Sequence, residues 1–419
     1  MLKNIDYLND LYRNMWWETS IKLNLDTKKI SYLEKKKREK TLELFIDKII
    51  KHIGEFPKDI EERKVWRDTG NKYVDKMIEV EDTFRLGTLD KKMKEQFFKS
   101  TKIFINTCRE FDENIEYKDI GQAMRNVWIV NIFQKVIGRD IEFSKAIFGY
   151  SMLYPYTDNY LDDTKVTFKS KNDFNKRFSK RLSGENIEAK DSYEEKVYKL
   201  VDCIEEVFSR TDYPKVYEGL LLIQECQEKS LYEQESVSMP YERDMLNISI
   251  EKGGASVLVD GYLVCGELTK EEEIFAYGYG FLLQLCDDLQ DVNSDLEKNH
   301  MTIISQLAGK YNLDKIINKL INIIIDIVDN ATCFKGENIK ELKELIKNNC
   351  ITMVLFAIVD SKEYFSKEYI KVISSYLPFT LSYIDGIEIK FKKKFKALKP
   401  SYHGVKVEDI LMYLFEVEE

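Results

Sequence analysis

The sequence predicts an all-α protein. Its 419 residues include only 6 Pro and 18 Gly, so few positions interrupt a helix. Apolar residues recur with the 3.6-residue period of one helix face over stretches such as 314–329, and no convincing stretch alternates as a half-buried strand does. No linker rich in Pro, Gly or Ser divides the chain. We expect one helical domain, residues 116–419, with an N-terminal helical extension, residues 1–115, packed on it.

Composition limits the functional classes. The 64 basic and 73 acidic side chains give a net charge of -9, which argues against a general nucleic-acid binder. The longest apolar runs, such as 351–359, are too short to span a bilayer, and residues 1–6 lack the apolar core of a secretory signal. The seven cysteines are scattered without a CxxC pair, so they are interpreted as reduced core residues. We therefore expect a cytoplasmic protein.

The N-terminal region and the basic segments carry weaker signals. Residues 1–115 predict several amphipathic helices, in which the basic run 35–40 is interpreted as a solvated face and His52 as a packing or surface residue. Arg125 lies near the start of a helix predicted from residue 119. Arg177 and Arg181 are candidates for binding a phosphate, and ordinary surface charge explains them equally well.

The strongest functional signal is a carboxylate cluster at the end of an apolar helix. Residues 281–295 are apolar around most of the helix circumference, which predicts burial. Asp287, Asp291 and Asp295 are spaced i, i+4, i+8 and share one face. Such carboxylates repel one another unless a cation bridges them, and oxygen-only ligands suit Mg²⁺, which usually shares its shell with substrate phosphates. A solvated acidic helix end is the alternative.

A second acidic cluster ends the helix predicted from about residue 141. Asp158 and Asp162 are again one turn apart, and Asn159 and Asp163 repeat that spacing one position further round. Pro155 lies where a kink would set the angle of the cluster. A helix end that frays into an acidic loop is the simpler interpretation. In the functional interpretation, the two clusters face each other across one cavity.

Two lysines lie near this predicted cavity. Lys252 precedes Gly253 and Gly254, and paired glycines within a helical pattern mark either a break or a close backbone approach. Lys252 is then placed to present its ammonium group to the cavity, with an ordinary exposed lysine as the alternative. Lys298 lies in the polar loop that follows the central helix.

Residues 252–302 resemble the second half of a trans-polyprenyl diphosphate synthase. The matching residues after Lys252 are Gly280, Gln284, Asp287, Asp288 and Asp291, in the spacing of the FQxxDDxxD motif, with Leu283 in place of the Phe. The resemblance implies the isoprenoid synthase fold, an all-α bundle around a central apolar cavity in which two Asp-rich helices hold several Mg²⁺ ions and a prenyl diphosphate. Residues 158–163 are then similar to DDxxD, with Asn159 for the second Asp.

The chain departs from the elongating members of that family. Gln122 and Ala123 stand where those members place a Lys and an Arg for the second substrate, isopentenyl diphosphate, and each lost charge-assisted contact costs about 1.5–3 kcal/mol. Asp287, Asp291 and Asp295 also occupy the ligand positions of class I terpene synthases, and Arg243 resembles their diphosphate-sensing arginine. The resemblance covers roughly residues 116–305.

We therefore expect a class I terpene synthase that ionises a prenyl diphosphate with Mg²⁺. A trans-prenyltransferase, or an enzyme that condenses two prenyl chains, is the second hypothesis, and a non-catalytic helical binding module is the third. No nucleic acid or transmembrane segment is expected, and a homodimer is left open. The expected metal ligands are Asp158, Asn159, Asp162, Asp163, Asp287, Asp288, Asp291 and Asp295. The expected diphosphate-binding side chains are Arg125, Arg177, Arg181, Arg243, Lys252 and Lys298.

Overall fold

Helices account for most of the chain. The computed structural model describes residues 4–25, 28–80, 90–163, 165–231 and 242–414, apart from the side chains of Asp162 and Met412. In these ranges there are seventeen α-helices and one small antiparallel hairpin, so the all-α prediction is confirmed. None of the described helices is long and apolar enough to cross a membrane.

The elements are numbered in chain order. The first nine helices are α1 (Ile5–Glu18), α2 (Tyr32–Gly54), α3 (Ile60–Val80), α4 (Lys91–Phe111), α5 (Tyr117–Val136), α6 (Lys145–Asp162), α7 (Phe168–Leu182), α8 (Ser192–Glu205) and α9 (Pro214–Ser230). The next are α10 (Met245–Cys265), α11 (Lys270–Gln290), α12 (Val292–Lys298), α13 (Asp314–Asp329), α14 (Ile339–Asp360), the 3-10 turn Lys362–Tyr364, α15 (Lys367–Ser374) and α16 (Leu381–Phe395). The hairpin β1 (Ser401–Tyr402) and β2 (Val405–Lys406) precedes α17 (Val407–Tyr413).

Helix α11 is the predicted central helix, and it begins well before residue 281. Thr269 accepts a hydrogen bond from the Glu272 N–H, and the Glu272 side chain accepts one from the Thr269 N–H, which forms a capping box. Glu271 and Glu273 add negative charge to the first turn, where it favours the helix dipole. Most of α11 is buried, as its apolar circumference predicts.

The paired glycines Gly253 and Gly254 do not break α10, which continues through them. They allow α10 and α11 to approach closely instead. A Cβ atom added to Gly280 would lie 1.9 Å from the carbonyl oxygen of Gly253, and one added to Gly253 would lie 2.5 Å from that of Gly280. Gly254 faces the ring of Tyr277, and a Cβ atom added there would lie 2.5 Å from the nearest ring carbon. The backbones of α10 and α11 therefore touch at this level of the bundle.

Apolar packing does not follow the boundary predicted at residue 115. Helix α1 joins the main core, where the Tyr12 hydroxyl donates to the carbonyl oxygen of Ile274 at 2.5 Å. Helices α2 and α3 instead form a second apolar cluster with the C-terminal elements, around Ile53, Trp66 and Leu414. His52 stacks on Trp66 with 4.4 Å between ring centroids, so it packs inside this cluster.

Candidate active site

Hydrogen bonds between helices fix which residues of α5 and α6 lie at the same end of the bundle. The Asn126 amide donates to the Ser151 hydroxyl at 3.1 Å, and the Asn159 amide donates to Asp119 at 3.1 Å. The two helices are therefore antiparallel. The N-terminal half of α5, with Arg125, lies beside the C-terminal half of α6, with Asp158.

Helix α10 runs antiparallel to α6 in the same layer. Asn126 also donates to Asp260 at 2.9 Å, and one turn further along α6 the Tyr154 hydroxyl is hydrogen-bonded to the Ser256 hydroxyl. Moving from Tyr154 to Asp158 on α6 thus corresponds to moving from Ser256 to Lys252 on α10. Asp158 and Lys252 lie at the same end of the bundle.

Helix α11 brings its carboxylates to that same end. The Ser249 hydroxyl donates to Asp288 at 3.0 Å, and at the other end of this helix pair the Tyr262 hydroxyl donates to Glu273 at 2.8 Å. Because α10 and α11 are antiparallel, Asp287 lies at the level of Lys252. The four helices α5, α6, α10 and α11 therefore contribute their predicted polar residues to one end, which we call the acidic end.

The spacing of the three aspartates survives the transition from α11 to α12. The Asp291 N–H donates to the Asp287 carbonyl oxygen at 2.9 Å, and the Asp295 N–H donates to that of Asp291 at 2.8 Å. Helical hydrogen bonding thus continues through Asp291, although its φ of -92° and ψ of 2° mark the junction. Asp287 and Asp291 are both exposed to water, one turn apart.

Charges from three helices act on Asp287. Its carboxyl is open to water yet flanked by enough protein to lose hydration, and this desolvation is the first cause that raises its pKa. The negative charge of Asp291 raises the pKa further. Lys252 on α10 and Arg125 on α5 lower it, so both cations act on this carboxylate. Two carboxylates and two cations therefore share the acidic end.

Two of the predicted metal ligands point away from this group. Asp288 is buried, and its two carboxylate oxygens accept hydrogen bonds from the Ser249 hydroxyl and, at 2.8 Å, from the Gln284 amide. Asp295 is also buried and lies 3.5 Å from the His300 ring nitrogen. Both side chains make contacts within the protein, and their role as metal ligands stays a prediction.

A metal ion at the acidic end would need oxygen atoms from water or a bound substrate to complete its coordination shell. Among the described residues, no three His, Cys, Asp or Glu side chains are grouped closely enough to hold a metal ion. Mg²⁺ is commonly held by one or two carboxylates, with water and substrate phosphates completing its shell. The exposed carboxylates of Asp287 and Asp291 fit that arrangement, and they do not form a complete metal cage.

The first acidic cluster is only partly described. Asp158 is half-buried and accepts a hydrogen bond of 2.6 Å from the Gln227 amide of α9. Asn159 is exposed, with its amide turned to Asp119, and the Asp163 carboxylate accepts from the Lys165 N–H at 2.8 Å. The side chain of Asp162 lies outside the described residues. Gln227, which the sequence did not single out, is therefore a direct partner of the cluster.

Two predicted diphosphate-binding arginines hold α7 against α8 instead. Arg177 forms a two-bond ion pair with the buried Glu194, with its Nε 3.0 and 3.1 Å from the two carboxylate oxygens. Arg181 binds Glu205 through two nitrogens at 2.8 and 2.7 Å, and it also contacts Asp202. In this structure carboxylates of α8 engage both guanidinium groups, and diphosphate binding by Arg177 and Arg181 stays a prediction.

The remaining predicted cations lie at or near the acidic end. Lys252 is partly buried in the second turn of α10, and Arg243 is partly buried just before that helix. Neighbouring Asp244 caps α10 and forms an ion pair of 2.7 Å with Arg13 of α1. Lys298 is exposed in the last turn of α12, where a positive charge favours the helix dipole.

An open cleft lies between α5 and α6 at the acidic end. Its volume is about 500 Å³. It is lined by Lys118, Asp119, Gly121, Gln122, Arg125 and Asn159. Ala123 does not reach the cleft, because its side chain is fully buried in the core. The cleft thus combines two cations, one carboxylate and two amides.

A narrow apolar cavity lies below Asp158, between α6, α7 and α9. Its volume is about 20 Å³, which is close to the space that one water molecule needs. Tyr150 and Tyr154 line it, and both hydroxyls bond to Ser256 of α10. The resemblance implies a central apolar cavity, and in the part of the chain that the structure describes the space at this place is only this narrow one.

A buried carboxyl below the acidic end escaped the sequence predictions. Asp260 is fully buried; Asn126 donates to one of its oxygens, and no partner of the other is found in the described residues. Burial raises the pKa of Asp260 well above its ordinary value, which favours the neutral acid. A single Asp within the apolar run 255–264 was the available signal, because an isolated acid on a buried helix is costly.

Comparisons with protein-family models, curated proteins and solved structures gave no match for this chain. The fold and the acidic end define an all-α protein with a charged, water-exposed end over an apolar core. Two carboxylates that repel each other, beside two cations, suit a ligand that carries several negative charges and arrives with a metal ion.

Proposed function

We propose that this protein ionises a single prenyl diphosphate, the reaction of class I terpene synthases, and releases diphosphate with a terpene hydrocarbon or alcohol. One observation carries the proposal. The exposed carboxylate of Asp287 is coupled electrostatically to Asp291, Lys252 and Arg125 at the end of an apolar helical bundle. Repelling carboxylates call for a cation, and the two basic side chains call for an anion.

The charges of the acidic end match what this reaction requires. Cleavage of an allylic carbon–oxygen bond leaves a carbocation and a diphosphate anion in contact. Mg²⁺, when bound, neutralises negative charge as it develops on the leaving group. In the proposal, Asp287 and Asp291 hold the metal, and Lys252 and Arg125 donate to diphosphate oxygens, where charge-assisted hydrogen bonds are strongest.

The residues below the acidic end suit a carbocation. Tyr154 lines the narrow cavity directly below Asp158, and its ring face attracts a cation with about 0.5–2 kcal/mol. Tyr160, the other ring near the first cluster, packs 4.8 Å from Phe174 between ring centroids and therefore supports the wall. Because the cavity holds about 20 Å³, the proposal requires Tyr150 and Tyr154 to move apart when a prenyl chain enters.

The cleft between α5 and α6 favours a prenyltransferase as the second candidate. Its 500 Å³ and the cations Lys118 and Arg125 offer space and charge for another anionic substrate. Two features oppose this function. Gln122 supplies only a neutral amide to the cleft, and the Ala123 side chain is buried in the core. We therefore keep the single-substrate reaction as the main proposal.

Incubation with labelled isopentenyl diphosphate and an unlabelled allylic diphosphate is expected to leave the label unincorporated. Asp119 lies beside the two cations of the cleft, and Gln122 and the buried Ala123 add no positive charge, so we expect isopentenyl diphosphate to bind weakly there. The extracted product should be an unlabelled hydrocarbon or alcohol without diphosphate. Label in a longer prenyl diphosphate would reject the cyclase and establish the transferase.

A further inference from the structure

Helix α2 carries a stripe in which leucine and lysine side chains face the solvent. Leu33, Lys37, Lys40, Leu44 and Lys51 recur at intervals of three, four or seven residues, so they share one helix face. Leu33 is 80% exposed and Leu44 is 59% exposed, and the three lysines are exposed as well. The other side of α2 faces the protein. This stripe therefore keeps large apolar groups in water between positive charges.

Helix α16 extends the same surface. It lies parallel to α2, because Lys390 pairs with Glu43 and, one turn further on, Lys394 pairs with Asp47. Its outer face adds Ile389, which is 73% exposed, to the two leucines of α2. We call the combined set the Leu-Lys surface. It consists of Leu33, Lys37, Lys40, Leu44, Lys51, Ile389 and Lys393.

The two helices are strongly basic although the whole chain is acidic. Together α2 and α16 carry eleven Lys or Arg side chains and six Asp or Glu side chains, whereas the chain has a net charge of -9. Each of the six acids is already paired with a basic side chain. The pairs are Glu34–Arg38, Glu39–Lys36, Glu43–Lys390, Asp47–Lys394, Asp385–Lys362 and Glu388–Lys392. Of the lysines outside these pairs, Lys37, Lys40, Lys51 and Lys393 lie on the Leu-Lys surface, whereas Lys35 is buried and Lys48 lies over the Tyr73 ring.

We infer that the Leu-Lys surface docks on an anionic lipid bilayer. Lysines on a helix face are attracted to anionic headgroups, and apolar side chains between them gain by insertion at the boundary with the acyl chains. A protein partner recognised by the same charges would be acidic, and it would need a surface shaped to fit apolar side chains from two helices, Leu33 and Leu44 on α2 and Ile389 on α16. A lipid surface accepts such separated apolar groups without a matching shape.

Two contacts connect the start of α16 with α12, the helix that follows Asp291. Lys362 pairs with Asp385 near the start of α16 at 2.6 Å, and the neighbouring Tyr364 hydroxyl donates to Asn293 at 2.9 Å. Asn293 follows Asp291 by two residues. The inference concerns binding alone and stands independently of the proposed reaction.

Co-sedimentation of the full chain with lipid vesicles tests this inference. Vesicles of phosphatidylcholine with phosphatidylglycerol should bind the protein, and vesicles of phosphatidylcholine alone should bind it far less. Insertion into the bilayer buries the apolar side chain of each leucine, and replacement by Asp removes this gain. Leu33→Asp and Leu44→Asp should therefore each weaken binding about tenfold. Raising the salt concentration should also weaken binding, since salt screens the lysines.

Matched control variants distinguish a specific effect of the Leu-Lys surface from the effect of placing Asp at any exposed apolar position. Ile60→Asp and Val65→Asp change side chains on α3 that are 74% and 67% exposed and lie outside the Leu-Lys surface, so binding should be unchanged. Lys37→Glu with Lys40→Glu provides a second variant that keeps both leucines and should also lose binding. Equal binding by the α2 variants and the wild type, or equal losses in the α3 variants, would overturn the inference. The inference would also be overturned if the wild-type protein did not bind anionic vesicles, even if it bound an acidic protein.

Discussion

Replacement of Asp287 by Ala is expected to reduce Mg²⁺-dependent diphosphate release by at least roughly 10²–10³-fold, the loss seen when one preorganised electrostatic group is removed from a reacting centre. The same change should leave the free energy of unfolding unchanged or slightly higher. Asp287 is exposed, and both its lost hydration and the nearby Asp291 disfavour its charge in the folded protein. The measurement is a diphosphate-release assay combined with thermal unfolding of the metal-free protein.

The neighbouring residue provides the matched control. Asp288→Ala removes the buried acceptor of the Ser249 hydroxyl and the Gln284 amide, which should lower the free energy of unfolding by about 1–3 kcal/mol. The Asp287 variant should thus lose activity without losing stability, whereas the Asp288 variant should lose stability. A large loss of thermal stability in the Asp287 variant would show instead that Asp287 is a structural residue.

Gly280→Ala is expected to cause the largest loss of stability, about 3 kcal/mol. The added methyl group would lie 1.9 Å from the Gly253 carbonyl oxygen and 3.2 Å from the Gly254 Cα atom. These are backbone atoms, so relief requires α10 and α11 to separate along their whole interface. Unfolding in urea or guanidinium, monitored by circular dichroism, measures the change.

Gly386→Ala is the corresponding control in α16. Among the described residues, no atom apart from the adjoining residues and the backbone of α16 itself lies within 4 Å of a Cβ added at Gly386. Alanine is favoured over glycine within a helix by about 0.5–1 kcal/mol. This variant should therefore be slightly more stable than the wild type. Similar effects of the two substitutions would contradict the close approach of α10 and α11.

Local sequence patterns predicted the helices well. The apolar circumference of residues 281–289 indicated a buried helix, and α11 is buried there. The i, i+4, i+8 spacing of the aspartates is maintained because helical hydrogen bonds continue into α12. Both features depend on neighbours in the sequence, which is why periodicity was sufficient.

Features that depend on distant partners were not predictable in this way. The sequence shows that Arg177 is basic, but its role depends on Glu194, which the fold brings from the next helix. Asp287 and Asp288 are adjacent and chemically identical, and the fold distinguishes them by burying Asp288 against Ser249 of α10 and Gln284. The width of the cavity likewise depends on how Tyr150 and Tyr154 pack against α9 and α10.

The second apolar cluster illustrates the same limit at a larger scale. Trp66 of α3 and Leu414, just after α17, pack in one cluster although almost the whole chain separates them. Neither residue stands out in its local sequence. The predicted boundary at residue 115 therefore missed the pairing of the two ends of the chain.

The most direct test of the proposed function is diphosphate release from geranyl, farnesyl and geranylgeranyl diphosphate, measured for the wild-type protein with Mg²⁺ and with excess chelator. We expect release from at least one of these substrates with Mg²⁺, accompanied by a hydrocarbon or alcohol product, and loss of release with the chelator. A correctly folded protein that releases no diphosphate from any of them in the presence of Mg²⁺, or that releases it equally well with the chelator, would contradict the proposal.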